Sequence, residues 1–286
     1  MARIGIIGGS GLYNIEGIKI KEVIKINTSF GAPSDEFTVG ELNGKEVVFL
    51  PRHDKRHRIN PSRINYRANI CGMKKLEVEW IISISACGSL KEEIKPMDFV
   101  IPLQFVDRTN QARKCTFFDE GITAHISFAH PVCGNLANLV HDAAKGKDVT
   151  VHLGGTYLNM EGPQFSTLAE SNLYRSWGMH IIGMTNMVEA RLAREAEICY
   201  VTLAAVTDYD CWHESEETVT VDVIIGNLRK NVENAKKILK DVISRIGEER
   251  TCACKDALKY AIITDRKAIS EEAKKKLGII TGKYVK

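Results

Sequence analysis

The run Ile198-Cys199-Tyr200-Val201-Thr202-Leu203-Ala204-Ala205 constrains the chain most. It is apolar, β-prone and free of charge, and it reads as a buried strand. It leads into Val206-Thr207-Asp208-Tyr209-Asp210. Side chains alternate along extended backbone, so Asp208 and Asp210 can face the same side. In open α/β sheets, ligands sit beyond the carboxyl ends of strands. Two carboxylates there suit chemistry on a ligand with exchangeable protons, because like charges close together oppose each other's ionisation. A solvated turn accounts for the same residues, and spacing alone does not choose between these readings.

The rest of the chain repeats the pattern of apolar run, small-residue loop and helix. Arg3 to Ile7 reads as a parallel strand ending in Gly8-Gly9-Ser10-Gly11, where backbone N–H groups can converge on an anion. No Gly-Lys-Ser/Thr follows, so this is not a Walker loop. Three further strands, 22–26, 36–40 and 45–50, lead into Pro51-Arg52-His53-Asp54-Lys55-Arg56-His57, a basic loop whose Arg52 can fork onto phosphate oxygens. A helix is expected over 61–75 and a strand over 79–84, the latter ending in Ser85-Ala86-Cys87-Gly88-Ser89. Asp107 to Ala129 lacks periodicity and reads as a long loop. Helix 135–144 and strand 149–158 follow. A capping box of Thr167 and Glu170 opens the next helix. After strand 180–184, Asn186 with Glu189 caps a helix over 187–195. Residues 222–246 form a long amphipathic helix with Leu228, Val232, Ala235, Leu239, Val242 and Ile246 on its apolar face. The tail carries Cys252-Ala253-Cys254, a short helix to Ala261, and a helix capped by Ser270. The expected fold is α/β: residues 1–286 form one domain with a central mixed sheet flanked by helices, and 248–286 is a C-terminal helical extension.

Composition removes several functions. A net charge of +3, with the charges scattered, argues against broad nucleic-acid binding. The apolar runs are too short to span a bilayer, and Met1-Ala2-Arg3 opens with no signal-peptide pattern. The eight cysteines, mostly isolated, suit a reducing cytosol. Anion-ready loops without a carboxylate cluster for Mg²⁺ point to free inorganic phosphate rather than a nucleoside triphosphate.

Taken in order, GIIGGSGL, PRHDKRH, SACGSL, MEGPQFS, GMT and TDYDCW resemble the purine nucleoside phosphorylase superfamily, and within it the methylthioadenosine phosphorylases. The resemblance runs from Arg3 to about Gly247. It implies phosphorolysis of 5′-methylthioadenosine to adenine and 5-methylthioribose 1-phosphate, with phosphate as co-substrate and no other cofactor. By matching, Ser10, Arg52, His53, Ser85, Ala86 and Thr185 hold phosphate, and Met184 meets the ribose. Phe165, Asp208 and Asp210 hold the base, with Asp208 as the general acid. Ser166, Val221, Ile224, Ile225 and a neighbouring subunit's His125 surround the methylthio group. The resemblance also implies a cytoplasmic homotrimer or hexamer. Val188 departs from the proline frequent at its position, and Gly183 is smaller than the residue of some relatives. The alternatives are a broader purine nucleoside or methylthioinosine phosphorylase and a non-catalytic nucleoside-binding or sensing protein. A dinucleotide-dependent dehydrogenase is disfavoured by the lack of a clear helix after Gly11. The Cys252/Cys254 pair has three readings: free thiols, a disulfide as in some heat-adapted relatives, or a metal site. No second Cys/His pair stands at zinc spacing, so no metal is expected.

Overall fold

The computed structural model describes residues 3–9, 12, 15–110, 112–213 and 221–285, with backbone alone for 221–225. The strands are β1 (Arg3–Gly8), β2 (Lys19–Ile24), β3 (Phe37–Leu42), β4 (Lys45–Pro51), β5 (Trp80–Ser89), β6 (Phe99–Ile101), β7 (Gln104–Arg108), β8 (Val151–Leu153), β9 (Thr156–Met160), β10 (Ile181–Gly183) and β11 (Cys199–Asp208). They join in one mixed sheet. The helices are α1 (Tyr66–Lys75), α2 (Gly134–Ala144), α3 (Leu168–Ser176), α4 (Asn186–Glu195), α5 (Val221–Arg245) and α6 (Glu271–Thr281).

Helices cover both faces of the sheet. β11 is buried along its whole length. Its side chains alternate as extended backbone requires. Cys199, Val201, Leu203 and Ala205 enter the core shared with α2 and α5, while Tyr200 enters the core shared with α1, α4 and α6. The apolar face of α5 is core as expected, with Ala235, Leu239 and Val242 fully buried.

Local chemistry explains where elements break. The expected helix over 61–75 is a 3-10 turn, Pro61–Arg63, followed by α1. Ile64 between them is extended, and the Asn65 side chain restarts the helix by accepting from Ala68 N–H. The expected strand over 149–158 splits into β8 and β9 because Gly154 and Gly155 turn the chain with φ of 120° and 85°. β7 went unforeseen. It is a sheet-edge strand with no buried residue, so it carries no hydrophobic alternation to read. The capping box of Thr167 and Glu170 and the Ser270 cap form as expected. The expected short helix ending at Ala261 is instead a 3-10 turn, Ala253–Asp256, with further turns after it.

The sheet branches at β5. Along one edge β11 runs parallel to it from Trp80 to Gly88. Along the other edge, β1 pairs in parallel up to Ile7↔Ser83, and β10 pairs antiparallel at Ile181↔Ser89 and Ile182↔Gly88. β1 and β10 therefore run toward each other, and their carboxyl ends meet. Among the described residues, no strand pairs Ile84 to Cys87 on that edge.

The long loop after β7 is pinned to α4 by a buried carboxylate. Glu195 accepts from the Thr116 hydroxyl and the Phe117 N–H, each at 2.7 Å. Burial pushes its pKa up to about 7, against the pull of those donors. The folded state thus holds a proton here that the unfolded chain, near 4.5, releases earlier. The resulting stability is complete below about pH 4.5 and lost as pH rises through about 7. Thermal melts of Glu195→Gln, which mimics the protonated acid, should show a flatter decline than the parent between about pH 5 and 8. An unchanged slope would remove Glu195 as the cause.

Candidate active site

The gap between β1 and β10 gathers the loops expected to bind an anion. Arg52 follows β4, and its N–H donates to Gly8 O at 3.0 Å, tying it to the end of β1. Its guanidinium is buried and reaches under the gap. Nε donates to Glu189 Oε1 at 2.5 Å, Nη2 to Ser83 Oγ at 2.6 Å and Glu189 Oε2 at 3.2 Å, and Nη1 to Ile84 O at 2.9 Å. Burial works against the charge, but Glu189 holds the guanidinium protonated. Arginine has five N–H groups, so one on Nη1 remains to meet a ligand.

Glu189 and Asn186 belong to this network rather than to a helix cap. Thr185 is the N-cap of α4 and makes no side-chain cap bond. Asn186 instead accepts from Ser85 Oγ at 2.7 Å and donates to Ser83 Oγ and to the Tyr200 hydroxyl. Glu189 Oε2 also accepts from the Ser83 and Tyr200 hydroxyls. The expected capping pair is thus overridden by Arg52, just after β4, and by partners on β5 and β11. The same bonds place Ser85 beside Thr185, whose hydroxyl lies 3.4 Å from Asn186 Oδ1. Ala86 follows on the unpaired stretch of β5. Ser10 lies outside the described residues.

His53 is held in one tautomer. Nδ1–H donates to Ile59 O at 2.7 Å, so Nε2 is the acceptor of the neutral ring. Burial, with Arg52 beside it, pushes the pKa down to about 4.

Arg113, in the loop after β7, was not singled out from sequence. It is buried and donates to the main-chain oxygens of Met184 and Glu161 and to Ser62 Oγ, with its Nε 3.2 Å from Glu161 Oε1. It fixes Met184 relative to the MEGPQFS stretch. Gly183, just before, has no room for a side chain, because a Cβ would lie 1.9 Å from the Tyr157 hydroxyl.

The carboxylate pair stands on the other edge of β5. Asp208 pairs with Gly88 after an irregularity in the β11 ladder. A Cβ on Gly88 would fall 2.9 Å from Asp208 Oδ1, so only glycine admits the acid there. The expected alternation along extended backbone does not hold. Asp210 is left-handed, at φ 56°, and its N–H turns back onto Asp208 Oδ1 at 2.8 Å. Both acids are buried, which removes the solvated-turn reading. Asp208 Oδ2 lies 2.7 Å from the Thr207 hydroxyl, which also has Cys87 O at 3.2 Å. Burial raises the pKa of Asp210, opposed by the hydroxyls of Ser171 and Ser166. Asn227 and Asn231 of α5 donate to Thr207 O and Val206 O at 2.8 and 2.9 Å, fastening the end of β11.

The remaining expected residues are spread around this centre. Ser166 is beside Asp210, and Phe165 is half exposed. Val221, Ile224 and Ile225 open α5, with side chains outside the described residues. His125 is not joined to this network. It is exposed, and its N–H donates to Ala261 O at 2.8 Å.

Residues 3–244 match the family profile described as the Phosphorylase superfamily. The chain is 58% identical over 282 residues to an S-methyl-5'-thioadenosine phosphorylase of Geobacter sulfurreducens, covering 99% of each. It is 55% identical to the protein of that name from Koribacter versatilis, covering 99% of this chain and 97% of the relative. A crystal structure of a methylthioadenosine phosphorylase from an antarctic soil metagenomic library superposes with a TM-score of 0.93 at 48% identity, covering 98% of each chain. A methylthioadenosine phosphorylase from Schistosoma mansoni in complex with adenine gives 0.85 at 36% identity, covering 91% of this chain and 96% of that one. With a buried arginine–carboxylate network under a gap in the sheet and a paired carboxylate beside it, this chain belongs to the phosphorylase superfamily.

Proposed function

We propose that the chain cleaves 5′-methylthioadenosine with inorganic phosphate, releasing adenine and 5-methylthioribose 1-phosphate. The observation that carries this reading is the placement of two sites on opposite edges of β5. The anion-ready gap lies on one edge and the buried Asp208–Asp210 pair on the other. A nucleoside spanning β5 sets its sugar between them, and the relatives' name supports this substrate.

Phosphate rests on the one remaining Arg52 N–H, on Ser10 and Ser85, on the Ala86 backbone and on Thr185. His53, neutral with Nε2 as acceptor, takes the P–OH of monohydrogen phosphate. The glycosidic bond breaks toward an oxocarbenium-like ribose beside Met184, and phosphate stabilises and then traps that cation at C1′. Electrons of the broken bond pass to the base, which leaves as N7 is protonated. Asp208 is the general acid that delivers that proton. Asp210 accepts from the 6-amino group, and Phe165 lies against the ring. Ser166, Val221, Ile224 and Ile225 make an apolar-walled pocket for the methylthio group.

The assembly is a homotrimer, or a hexamer built from trimers, in which a neighbour's His125 closes that pocket. Tyr260 and Ile263, 87% and 63% exposed on the segment paired with the His125 loop, are the apolar surface such an interface needs. We read residues 1–286 as one phosphorylase domain with 248–286 as an extension, working in the cytoplasm without an organic cofactor. The free thiols suit that compartment, and among the described residues no helix is long and apolar enough to cross a membrane.

Adenine release from methylthioadenosine should require phosphate; equal release in its absence would make the chain a hydrolase, and binding without release a sensor. Methylthioadenosine should exceed methylthioinosine in kcat/KM by at least about 100-fold, since a 6-oxo group offers Asp210 no donor. It should also exceed adenosine, whose 5′-hydroxyl meets apolar Val221. Faster turnover of either competitor would overturn the pocket assignment. Asp208→Asn should lower kcat by roughly 10²–10⁴. Gly88→Ala should lower kcat with little change in phosphate KM, because its methyl displaces Asp208 Oδ1. A larger loss of phosphate affinity than of kcat in Gly88→Ala would place Asp208 outside the base site.

A further inference from the structure

The tail pair Cys252-Ala253-Cys254 is not isolated in space. Cys133 and Cys199 join it, and the four Sγ atoms all lie within 4.8 Å of one another. They come from three separate segments. Cys133 is the N-cap of α2, Cys199 begins β11, and Cys252 and Cys254 flank the entry to the 3-10 turn after α5. Cys133, Cys199 and Cys254 are buried and Cys252 is half-buried.

We propose that Cys133, Cys199, Cys252 and Cys254 bind one zinc ion through four thiolates. A tetrahedral site with Zn–S bonds of about 2.3 Å sets its sulfurs roughly 3.8 Å apart, and this set is already gathered within 4.8 Å. That spacing suits a single ion, because a multi-iron cluster spreads its cysteines wider. Four thiolates around Zn²⁺ carry a net charge of −2, and the four thiol protons leave to solvent as the ion enters. The surroundings accept that charge. Cys133 heads α2, whose N-terminus favours anions. A cavity of about 180 Å³, lined by Cys133 and Cys252 with Arg250 and Thr251, gives an entry path and a nearby cation.

The site is structural. Cys199 and Asp208 are opposite ends of β11, about 30 Å apart at a strand's rise of roughly 3.3 Å per residue. The ion would pin the segment after α5 against the start of β11 and the head of α2. This replaces the expectation of no metal, which rested on the lack of a second close Cys/His pair. The second pair exists only in three dimensions.

Full-length protein purified without chelator from zinc-supplemented cells should carry about one zinc per chain by plasma mass spectrometry. Cys252→Ser and Cys254→Ser should lose it, whereas Cys115→Ser, outside the cluster, should keep it. Intact mass after denaturing, non-reducing alkylation should show all eight thiols free. Should the serine variants fail to fold, the wild-type chain loaded anaerobically with cobalt(II) should develop thiolate-to-metal charge-transfer absorption. Metal below about a tenth of an ion per chain after anaerobic zinc reconstitution overturns the proposal. So does a mass lacking two alkyl groups for each bridge among these four cysteines, or the absence of the cobalt band.

Discussion

Two strands that end head to head on one edge of β5 set the terms for the rest of the molecule. β1 stops at Gly8, and β10, running the other way, stops at Gly183. Ile84 to Cys87 are left without a strand partner on that edge among the described residues. Unpaired backbone in a protein interior is costly unless something else bonds it. Here Arg52 caps Ile84 O from below, and small side chains, Ser85 and Thr185, border what remains. That gap is where we propose the phosphate anion sits.

The arginine that closes the gap is itself closed off by Glu189. Buried ion pairs add little net stability over apolar packing, but removing one partner leaves an uncompensated charge at a cost of about 3–5 kcal/mol. Glu189 therefore makes the network with Ser83, Asn186 and Tyr200 obligatory once Arg52 is buried. That network fixes the start of α4, and with it Thr185, relative to β5. Rigid placement of dipoles and charges before a ligand arrives is what electrostatic catalysis requires. Arg113 does the same for Met184.

β11 links the two chemical regions of the chain. Its buried length anchors both helix layers, its carboxyl end presents Asp208 beside Gly88, and its amino end presents Cys199 to three other thiols. The two asparagines of α5 bond to its last carbonyls, so the helix that opens at the proposed methylthio pocket also sets the position of the acid.

Much of this was legible in the order of residues. Apolar runs followed by small-residue loops located most of the strands and four of the loops around the site. The box of Thr167 and Glu170 was readable because both partners of each bond lie within one turn. The pattern at Asn186 and Glu189 looked similar and misled, because Arg52, Ser83 and Tyr200 compete for the same atoms from distant parts of the sequence. Gly88 and Gly183 read only as small; the contacts that forbid a Cβ belong to Asp208 and Tyr157. Asp208 and Asp210 were readable as residues at a strand's end, but their relation through a left-handed turn was not. The alternating α/β elements and the residue types at each strand end follow from the order of residues alone, since these rest on local periodicity. Which strand ends meet, which charges pair and that four scattered cysteines share one place emerge only from the folded chain, since these rest on contacts between residues far apart in sequence.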